Sequence, residues 1–263
     1  EKKDIPKTGK TLLILVSQSG ETRDLHKCLL HKEGCETLGV INVVDSLIAR
    51  EVDCGVYTNC GKENAVASTK SFTSQLLVLS LIAMWFGHYH HSYMFEKALY
   101  DCSVLSSQID ETLKICKRTS IQKCNKKSIF LLGKQDLENI SKEGALKIKE
   151  MSYIHAEGYS ASSLKHGTFA LLDETVVVIL LVTEKTCSEM KNVYEQVKSR
   201  NCPVFIISEV GCDIEANVMV PKNETYYQIL FSVVLQYVAY TLAIENNINP
   251  DFPRNLAKVV TVD

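Results

Sequence analysis

The stretch Ser17-Gln18-Ser19-Gly20-Glu21-Thr22 is rich in hydroxyl groups and lies between an apolar run, residues 11–16, and a segment with a helical pattern. Amide groups at the start of a helix point outward, the helix dipole adds a partial positive charge, and hydroxyls donate hydrogen bonds without adding a counter-charge. These properties suit a phosphorylated ligand. They also suit helix capping alone, and the hexapeptide leaves both interpretations open.

Three charged residues farther along, Glu143, Lys147 and Glu150, have the spacing i, i+4 and i+7 and therefore share one face of a predicted helix. Two carboxylates around an ammonium can perform acid–base chemistry, but an exposed row of ion pairs has the same spacing. His166 follows in Leu164-Lys165-His166-Gly167, either as a further titratable group or as an ordinary surface histidine. Spacing alone does not decide between these alternatives.

Composition limits the classes of function. The chain has 263 residues, of which 46% are hydrophobic, so it can form one large domain or two of ordinary size. A net charge of -2 provides no basic surface for nucleic acid. Residues 1–10 are too polar for a signal peptide, and the longest apolar run, residues 72–87, is interrupted by polar residues. We therefore predict neither nucleic-acid nor membrane binding.

The ten cysteines are scattered, without a CxxC pair or a Cys/His group at zinc-ligand spacing. This distribution predicts reduced thiols and a cytoplasmic protein. Three histidines crowd residues 88–91, but no cysteine or carboxylate stands at metal-ligand spacing beside them. We therefore expect a solvated loop there and no metal site.

Apolar runs and helical patterns alternate along the chain. Runs that are apolar on both faces are typical of parallel strands covered by helices, which predicts a doubly wound α/β fold. The predicted strands are residues 11–16, 38–44, 128–132, 175–182 and 204–208, with shorter candidates at 55–58 and 217–220. The predicted helices lie near residues 22–32, 65–86, 95–117, 137–151, 187–199 and 225–245.

A charged stretch around residues 118–127 separates two such arrays and predicts a domain boundary. We accordingly expect a first domain at residues 1–122 and a second at residues 123–263, which includes the C-terminal tail. The first array begins abruptly with the strand before Ser17. If the arrays are repeats of one unit, the first lacks its opening strands and the chain starts inside a domain.

Five segments resemble, in the same order, the isomerase half of the glucosamine-6-phosphate synthases, the glutamine:fructose-6-phosphate aminotransferases. The resemblance runs from about residue 11 to residue 263, and the tail is its most specific part, because related sugar isomerase (SIS) domains generally lack it. The segments are Ser17 to Thr22, Val66-Ala67-Ser68-Thr69-Lys70 with Phe72-Thr73-Ser74-Gln75, Glu143 to Glu150, Leu164 to Gly167, and Pro253-Arg254-Asn255-Leu256-Ala257-Lys258.

The resemblance implies two SIS domains, each a parallel sheet flanked by helices, with the first truncated at its N-terminus. It implies an enzyme that needs no cofactor and converts fructose 6-phosphate to glucosamine 6-phosphate in the synthesis of hexosamines and UDP-N-acetylglucosamine. The substrate-binding residues that it implies are Ser17, Gln18, Ser19 and Thr22 for the phosphate, and Val66 and Ser68 for the sugar.

The same resemblance assigns catalytic roles. Lys258 corresponds to the lysine that forms a Schiff base with the ketose, and Glu150 to the base that carries a proton between C1 and C2. His166 corresponds to the ring-opening residue, which in this family reaches the sugar from the partner subunit, so a homodimer is implied. Lys147 and Glu143 correspond to supporting polar positions.

The chain also departs from the family pattern. It contains no glutaminase segment, so ammonia would have to come from a glutaminase domain upstream or in trans. The opening strand and the Cys-Gly-Thr-Ser turn of the phosphate site are missing, and Ser163, Thr168 and Asn64-Ala65 differ from the family residues. A non-catalytic module that binds a sugar phosphate therefore stays an alternative, although a base together with an imine-forming amine favours an enzyme.

Overall fold

The computed structural model describes residues 9–88 and 92–258, and these form two compact units. Unit 1 contains the described residues up to 88 together with residues 254–258, and unit 2 contains residues 92–253. The predicted boundary, after residue 122, lies beyond the helix that opens unit 2. The boundary between the predicted domains stays a prediction.

Unit 1 is built on a parallel sheet of three strands in the order β1-β2-β3, in which Thr11 pairs with Cys35 and Leu38 pairs with Cys54. Its elements are β1 (Thr11–Ser17), α1 (Arg23–Leu29), β2 (Cys35–Ile41), α2 (Leu47–Glu51), β3 (Cys54–Tyr57) and α3 (Lys70–His88).

The core of unit 1 is small. Leu15, Leu29 and Ile48 pack together in it, whereas Leu12 and Ile14 on β1 are 41% and 46% exposed among the described residues. The apolar sequence of β1 predicts burial on both faces, but burial alternates along this strand. The difference arises because apolar residues show that a strand can be covered, while neighbouring elements decide whether it is covered.

Unit 2 is built on a five-stranded parallel sheet in the order β5-β4-β6-β7-β8. Its elements are α4 (Ser92–Arg118), β4 (Ser128–Gly133), α5 (Asp136–Ser152), β5 (His155–Ser160), β6 (Val176–Val182), α6 (Cys187–Lys198), β7 (Val204–Glu209), β8 (Val218–Val220) and α7 (Tyr227–Glu245).

Helices cover this second sheet. The apolar side of α6 packs on alternate residues of β6, with Met190 and Val178 in one core cluster. Helices α5 and α7 pack against each other, and α4 contacts α7 and β8. Every residue of β6 is buried, as expected for a central parallel strand. The predicted α/β architecture of parallel sheets flanked by helices is confirmed.

The sequence pattern misses strand β5, because its residues are mostly polar and it forms the edge of the sheet, paired with β4 alone. Gly158 permits this strand to lie close to α5, since a Cβ at that position would clash with the backbone of Ser141 and Lys142. An edge strand pairs with another strand on one side only. Its sequence therefore need not be as apolar as that of a central strand, and it is harder to recognise.

Helix α7 is the one helix in the described residues that is long and apolar enough to cross a membrane, with a mean hydropathy of 1.5 over 18 residues. Of that window, 61% is buried inside the protein, where Leu230, Val234 and Leu242 are fully or almost fully covered. Burial of this extent is typical of the central helix of a globular core.

Candidate functional site

The hydroxyl-rich turn lies at the carboxyl end of β1, as predicted. Within it, the Oγ of Ser17 accepts a hydrogen bond from the N–H of Gly20 at 2.9 Å and lies 3.0 Å from the Oγ1 of Thr22. The N–H of Glu21 donates to the Oγ of Ser19 at 3.1 Å. Internal bonds therefore fix the turn and set the positions of its hydroxyls.

The capping interpretation gains little from this geometry. Thr22 is the N-cap of α1, but its side chain makes no capping hydrogen bond. The helix itself has only seven residues, Arg23–Leu29, and is shorter than predicted, so its dipole is weaker than that of a long helix. An anion at this turn would be bound mainly by hydroxyl and amide donors.

Gly20 is required where the turn packs against the loop after β2. Its φ angle is +68°, and a Cβ there would clash with the side chain of Ser46. Glu21 accepts a hydrogen bond from the N–H of Leu47 at 2.9 Å, which caps α2 and fastens the turn to it. Glu21 therefore supports the turn and does not add a negative charge to its hydroxyl side.

A cavity of about 360 Å³ opens beside this turn in unit 1. It contains three residues predicted from the sequence, Gln18, Ser19 and Lys258, and it adds residues that the sequence reasoning missed. Asn42 had a usable signal, because it follows β2 at the same edge of the sheet where Gln18 follows β1. The added residues of the lining are Asn42, Val43, Gly61, Lys62 and Glu63.

Two further predicted residues, Val66 and Ser68, lie in the loop between β3 and α3. Both are partly buried. The backbone oxygen of Val66 lies 3.5 Å from the Nζ of Lys258, although the two residues are 192 positions apart in the chain. The tail therefore returns to the loop that precedes α3, and its lysine reaches the cavity.

In unit 2, the charged face of α5 forms as predicted, but it is not an exposed row of ion pairs. Lys147 is only 4% exposed, and its Nζ lies 2.6 Å from the Oε2 of Glu150 and 3.5 Å from the Oε1 of Glu143. Both carboxylates are about four-fifths buried. A buried ammonium between two carboxylates is a costly arrangement, and such groups are often retained for chemistry.

Burial raises the pKa of Glu143, and Glu150 raises it further by repulsion, while Lys147 opposes both effects. Lys147 donates a hydrogen bond of 2.6 Å to Glu150 and lies farther from Glu143, so it holds the two carboxylates unequally. The group can therefore hold one carboxylate as a base while the other supports the ammonium.

His166 lies in an exposed turn after a short 3-10 segment, Ser163–Lys165. Its N–H donates to the oxygen of Ser163 at 3.0 Å, and the next residue, Gly167, has a φ angle of +111°. No hydrogen bond or ion pair joins His166 to the α5 group in the described part of unit 2. The histidine is therefore open to a ligand or to another chain.

No group of three metal-ligating side chains occurs in the described residues. The histidine-rich stretch at residues 88–91, expected to be a solvated loop, has side chains outside the described part of the chain.

A model of the SIS domain matches residues 7–85 and 124–246. A protein of Acanthamoeba polyphaga mimivirus, named "Probable glutamine--fructose-6-phosphate aminotransferase (isomerizing)", is 42% identical over 277 residues, covering 100% of this chain and 45% of the relative. A glutamine--fructose-6-phosphate aminotransferase (isomerizing) of Methanosarcina acetivorans is 38% identical, covering 96% of this chain and 43% of the relative.

Among solved structures, the C-terminal domain of glucosamine-fructose-6-phosphate aminotransferase from Francisella tularensis superposes with a TM-score of 0.89 at 25% identity. This match covers 96% of this chain and 76% of the other. The chain thus spans somewhat less than half the length of the curated relatives that it matches, and it corresponds to their isomerase half.

Proposed function

Because this chain belongs to the SIS domain family, which matches it in two segments, we propose that it is the isomerase part of a glutamine:fructose-6-phosphate aminotransferase (isomerizing). In that role it converts fructose 6-phosphate to glucosamine 6-phosphate, with ammonia from a glutaminase domain upstream or in trans. One observation carries the proposal: the cavity of unit 1 has Gln18 and Ser19 of the hydroxyl-rich turn together with Lys258 in its lining.

The phosphate of the sugar binds at the turn after β1. Ser17, Gln18, Ser19 and Thr22 provide neutral donors there, and Lys62 adds a positive charge at the cavity. Hydrogen bonds to a charged group contribute about 1.5 to 3 kcal/mol each, so a few of them anchor a small sugar phosphate. Val66 and Ser68 contact the sugar.

Lys258 forms the covalent intermediate. Its neutral Nζ attacks C2 of the open-chain ketose, a carbon–nitrogen double bond forms, and the carbonyl oxygen leaves as water. The partly buried position of this lysine in the cavity lining supports that role.

Ammonia then adds to C2 of this imine and the amine of Lys258 leaves, and Glu150 carries the proton between C1 and C2 of the resulting sugar imine. A carboxylate that is largely buried and held by one short ion pair is a suitable base, because it is oriented and only partly solvated. Lys147 holds this carboxylate in place, and Glu143 forms a second ion pair with the same ammonium.

His166 opens the sugar ring from the partner subunit of a homodimer. Its exposure and its lack of ion pairs with the α5 group in the described part of unit 2 support a role toward a second chain. A mixture of Glu150→Gln and His166→Ala chains tests this. For a shared site, we expect each variant to be inactive alone and activity to return when the two are folded together.

We also place the protein in the cytoplasm. All ten cysteines are free thiols in the structure, as is usual in a reducing compartment.

Trapping of the imine tests the proposed function. The chain is incubated with fructose 6-phosphate and borohydride, which reduces the double bond, and mass spectrometry then locates the sugar. We expect the adduct at Lys258 and none in a Lys258→Arg variant, which keeps the charge but is too basic to attack. Phosphate-dependent binding without any adduct would instead support the non-catalytic sugar-phosphate module.

A further inference from the structure

Glu63 is a buried carboxylate in the cavity lining to which the proposed chemistry gives no role. Its side chain is only 7% exposed. One oxygen accepts hydrogen bonds from the N–H and Oγ of Ser71 at 3.0 and 2.6 Å and from the N–H of Thr69 at 3.2 Å. The other accepts from the Oγ1 of Thr69 at 3.3 Å. These donors all lie at the start of α3, where the helix dipole favours a negative charge.

Glu63 is ionised at neutral pH. Burial opposes ionisation, but the hydrogen bonds from Ser71 and Thr69 and the charge of Lys258 outweigh it and hold the pKa of Glu63 below its usual value. The cavity therefore contains a fixed negative charge whose position is set by the first turn of a 19-residue helix.

The loop that carries Val66 and Ser68 has no helix or strand of its own between Thr58 and Thr69, and two polar side chains hold it. Glu63 holds its second half. Asn42 holds its first half: it accepts hydrogen bonds from the Oγ1 of Thr58 at 2.9 Å and the N–H of Cys60 at 3.1 Å, and it donates to the oxygen of Gly61 at 2.8 Å. Of these two side chains, only Glu63 is charged.

We propose that Glu63 is a positioning residue for Lys258: it fixes the loop whose Val66 oxygen the amine contacts, and its charge holds the amine there before the ketose arrives. This proposal rests on the proposed function, since it explains how the imine-forming amine is held in place. Lys258 lines the same cavity as Glu63 and lies 3.5 Å from the Val66 oxygen. Attraction between the carboxylate and the ammonium restrains a side chain that is otherwise long and flexible.

Among the described residues, two further cations lie near the loop that this amine contacts. Lys62 lines the cavity, and the Nζ of Lys70 lies near Gly61 in the same loop. Both are cations and repel the ammonium, whereas the negative charge of Glu63 attracts it. The amine must release its proton before it can attack C2, and the negative charge consequently raises the pH at which attack becomes efficient.

Glu63→Gln tests the charge with little change in shape. The amide oxygen can still accept from Ser71 and Thr69, and the amide nitrogen can donate to the hydroxyl of Thr69. The yield of borohydride-trapped adduct at Lys258 is measured against pH with fructose 6-phosphate. We expect the midpoint to move to lower pH by about one unit, the scale of a single nearby charge.

Two control variants separate charge from loop structure. Asn42→Ala loosens the same loop without removing a charge, so the yield should fall while the midpoint stays. Glu63→Asp keeps the charge and should keep the midpoint. A Glu63→Gln midpoint equal to that of the wild type would overturn the proposal, whereas an absence of adduct in the wild type would overturn the proposed function itself.

If Glu63→Gln does not fold, an experiment on the wild-type chain still tests the proposal. Competitive acetylation without sugar compares the pH dependence of Lys258 with that of Lys62. We expect Lys258 to react at the higher pH, because a carboxylate stabilises its ammonium form. Reaction of Lys258 at the lower pH would contradict the proposal.

Discussion

The two units carry different chemistry at the carboxyl ends of their parallel strands. In unit 1, β1 and β2 are followed by neutral donors, the Ser17–Thr22 turn and Asn42, and a cavity opens between them. In unit 2, β6 and β7 lead into Glu184 and Glu209. The first edge thus carries mainly neutral hydrogen-bonding groups, and the second carries carboxylates.

The carboxylates of unit 2 are held by groups of the same unit. Glu209 is 6% exposed and accepts a hydrogen bond from the N–H of Glu184 at 3.0 Å, while the side chain of Glu184 pairs with Lys222. After β4, Asp136 accepts a hydrogen bond from the hydroxyl of Tyr227 at 3.0 Å. Polar groups that would otherwise meet a ligand are satisfied internally.

The comparison shows that one fold can present different polar groups, in a loop after a strand in one unit and on a helix face in the other. Unit 1 has hydroxyl and amide donors at the edge of its sheet, and the cavity beside them also contains the carboxylate of Glu63. Unit 2 places its charged group on the inner face of α5, where Lys147 is buried between two carboxylates. The shared architecture alone would predict neither arrangement.

The largest expected effect concerns the α5 group. Under the proposed function, Glu150→Gln should lower isomerisation by at least about 100-fold, because an amide cannot accept the transferred proton. Loss of hydrogen at C1 of the sugar to deuterated water, followed by NMR, measures the step directly. Adduct formation at Lys258 should persist, and unchanged exchange in this variant would remove Glu150 from the proton-transfer role.

Removal of the buried ammonium should destabilise unit 2. Lys147→Met keeps most of the side-chain volume but leaves two carboxylates facing each other, and we expect a loss of about 3 kcal/mol in the free energy of unfolding. Urea denaturation at pH 7 measures it. Lys142→Met is the matched control on the same helix, since Lys142 forms an exposed pair with Glu138 and should change stability by less than about 0.5 kcal/mol.

Under the proposed function, the turn after β1 in unit 1 should respond to loss of its hydroxyls. A Ser19→Ala, Thr22→Ala double variant should bind fructose 6-phosphate at least about 30-fold more weakly, since the two lost hydrogen bonds to a charged oxygen cost at least about 1 kcal/mol each. Calorimetry with fructose as a second ligand provides the control. Equal affinity of the wild type for fructose and fructose 6-phosphate would show that this turn is not a phosphate site.

The smallest expected effect concerns the opposite edge, in unit 2. Burial raises the pKa of Glu209, although the N–H of Glu184 and the charge of Lys222 oppose the rise. A carboxyl whose folded-state pKa is raised binds protons more tightly in the folded state, so its contribution to stability falls as the pH rises through the interval between the unfolded and folded values. Thermal unfolding between pH 4 and pH 8 measures this dependence.

Glu209→Gln keeps an acceptor for the N–H of Glu184 and removes the titration. We expect the variant to be more stable than the wild type at pH 8, on the order of 1 kcal/mol, and to match it more closely at pH 4. A stability difference that does not depend on pH would contradict the assignment of this loss to Glu209.

Much of the fold was accessible from the sequence because central parallel strands are apolar along their whole length. Strand β6 is the clearest case, with seven residues that are all buried. Strand β5 was not accessible, since an edge strand with polar residues is hard to distinguish from a loop. Helix α1 is shorter than its pattern suggests, because the chain turns toward β2 after Leu29.

The sequence by itself determined which residue types stand after β1 and which charged residues share a face of α5, because strand order along the chain and helical periodicity are local properties. Only the tertiary structure decided that Lys147 is buried, that the tail brings Lys258 to the oxygen of Val66, and that Glu63 and Asn42 hold the loop beside the cavity. Burial and contacts between distant segments depend on the packing of the whole chain, and no periodic pattern in an irregular loop records them.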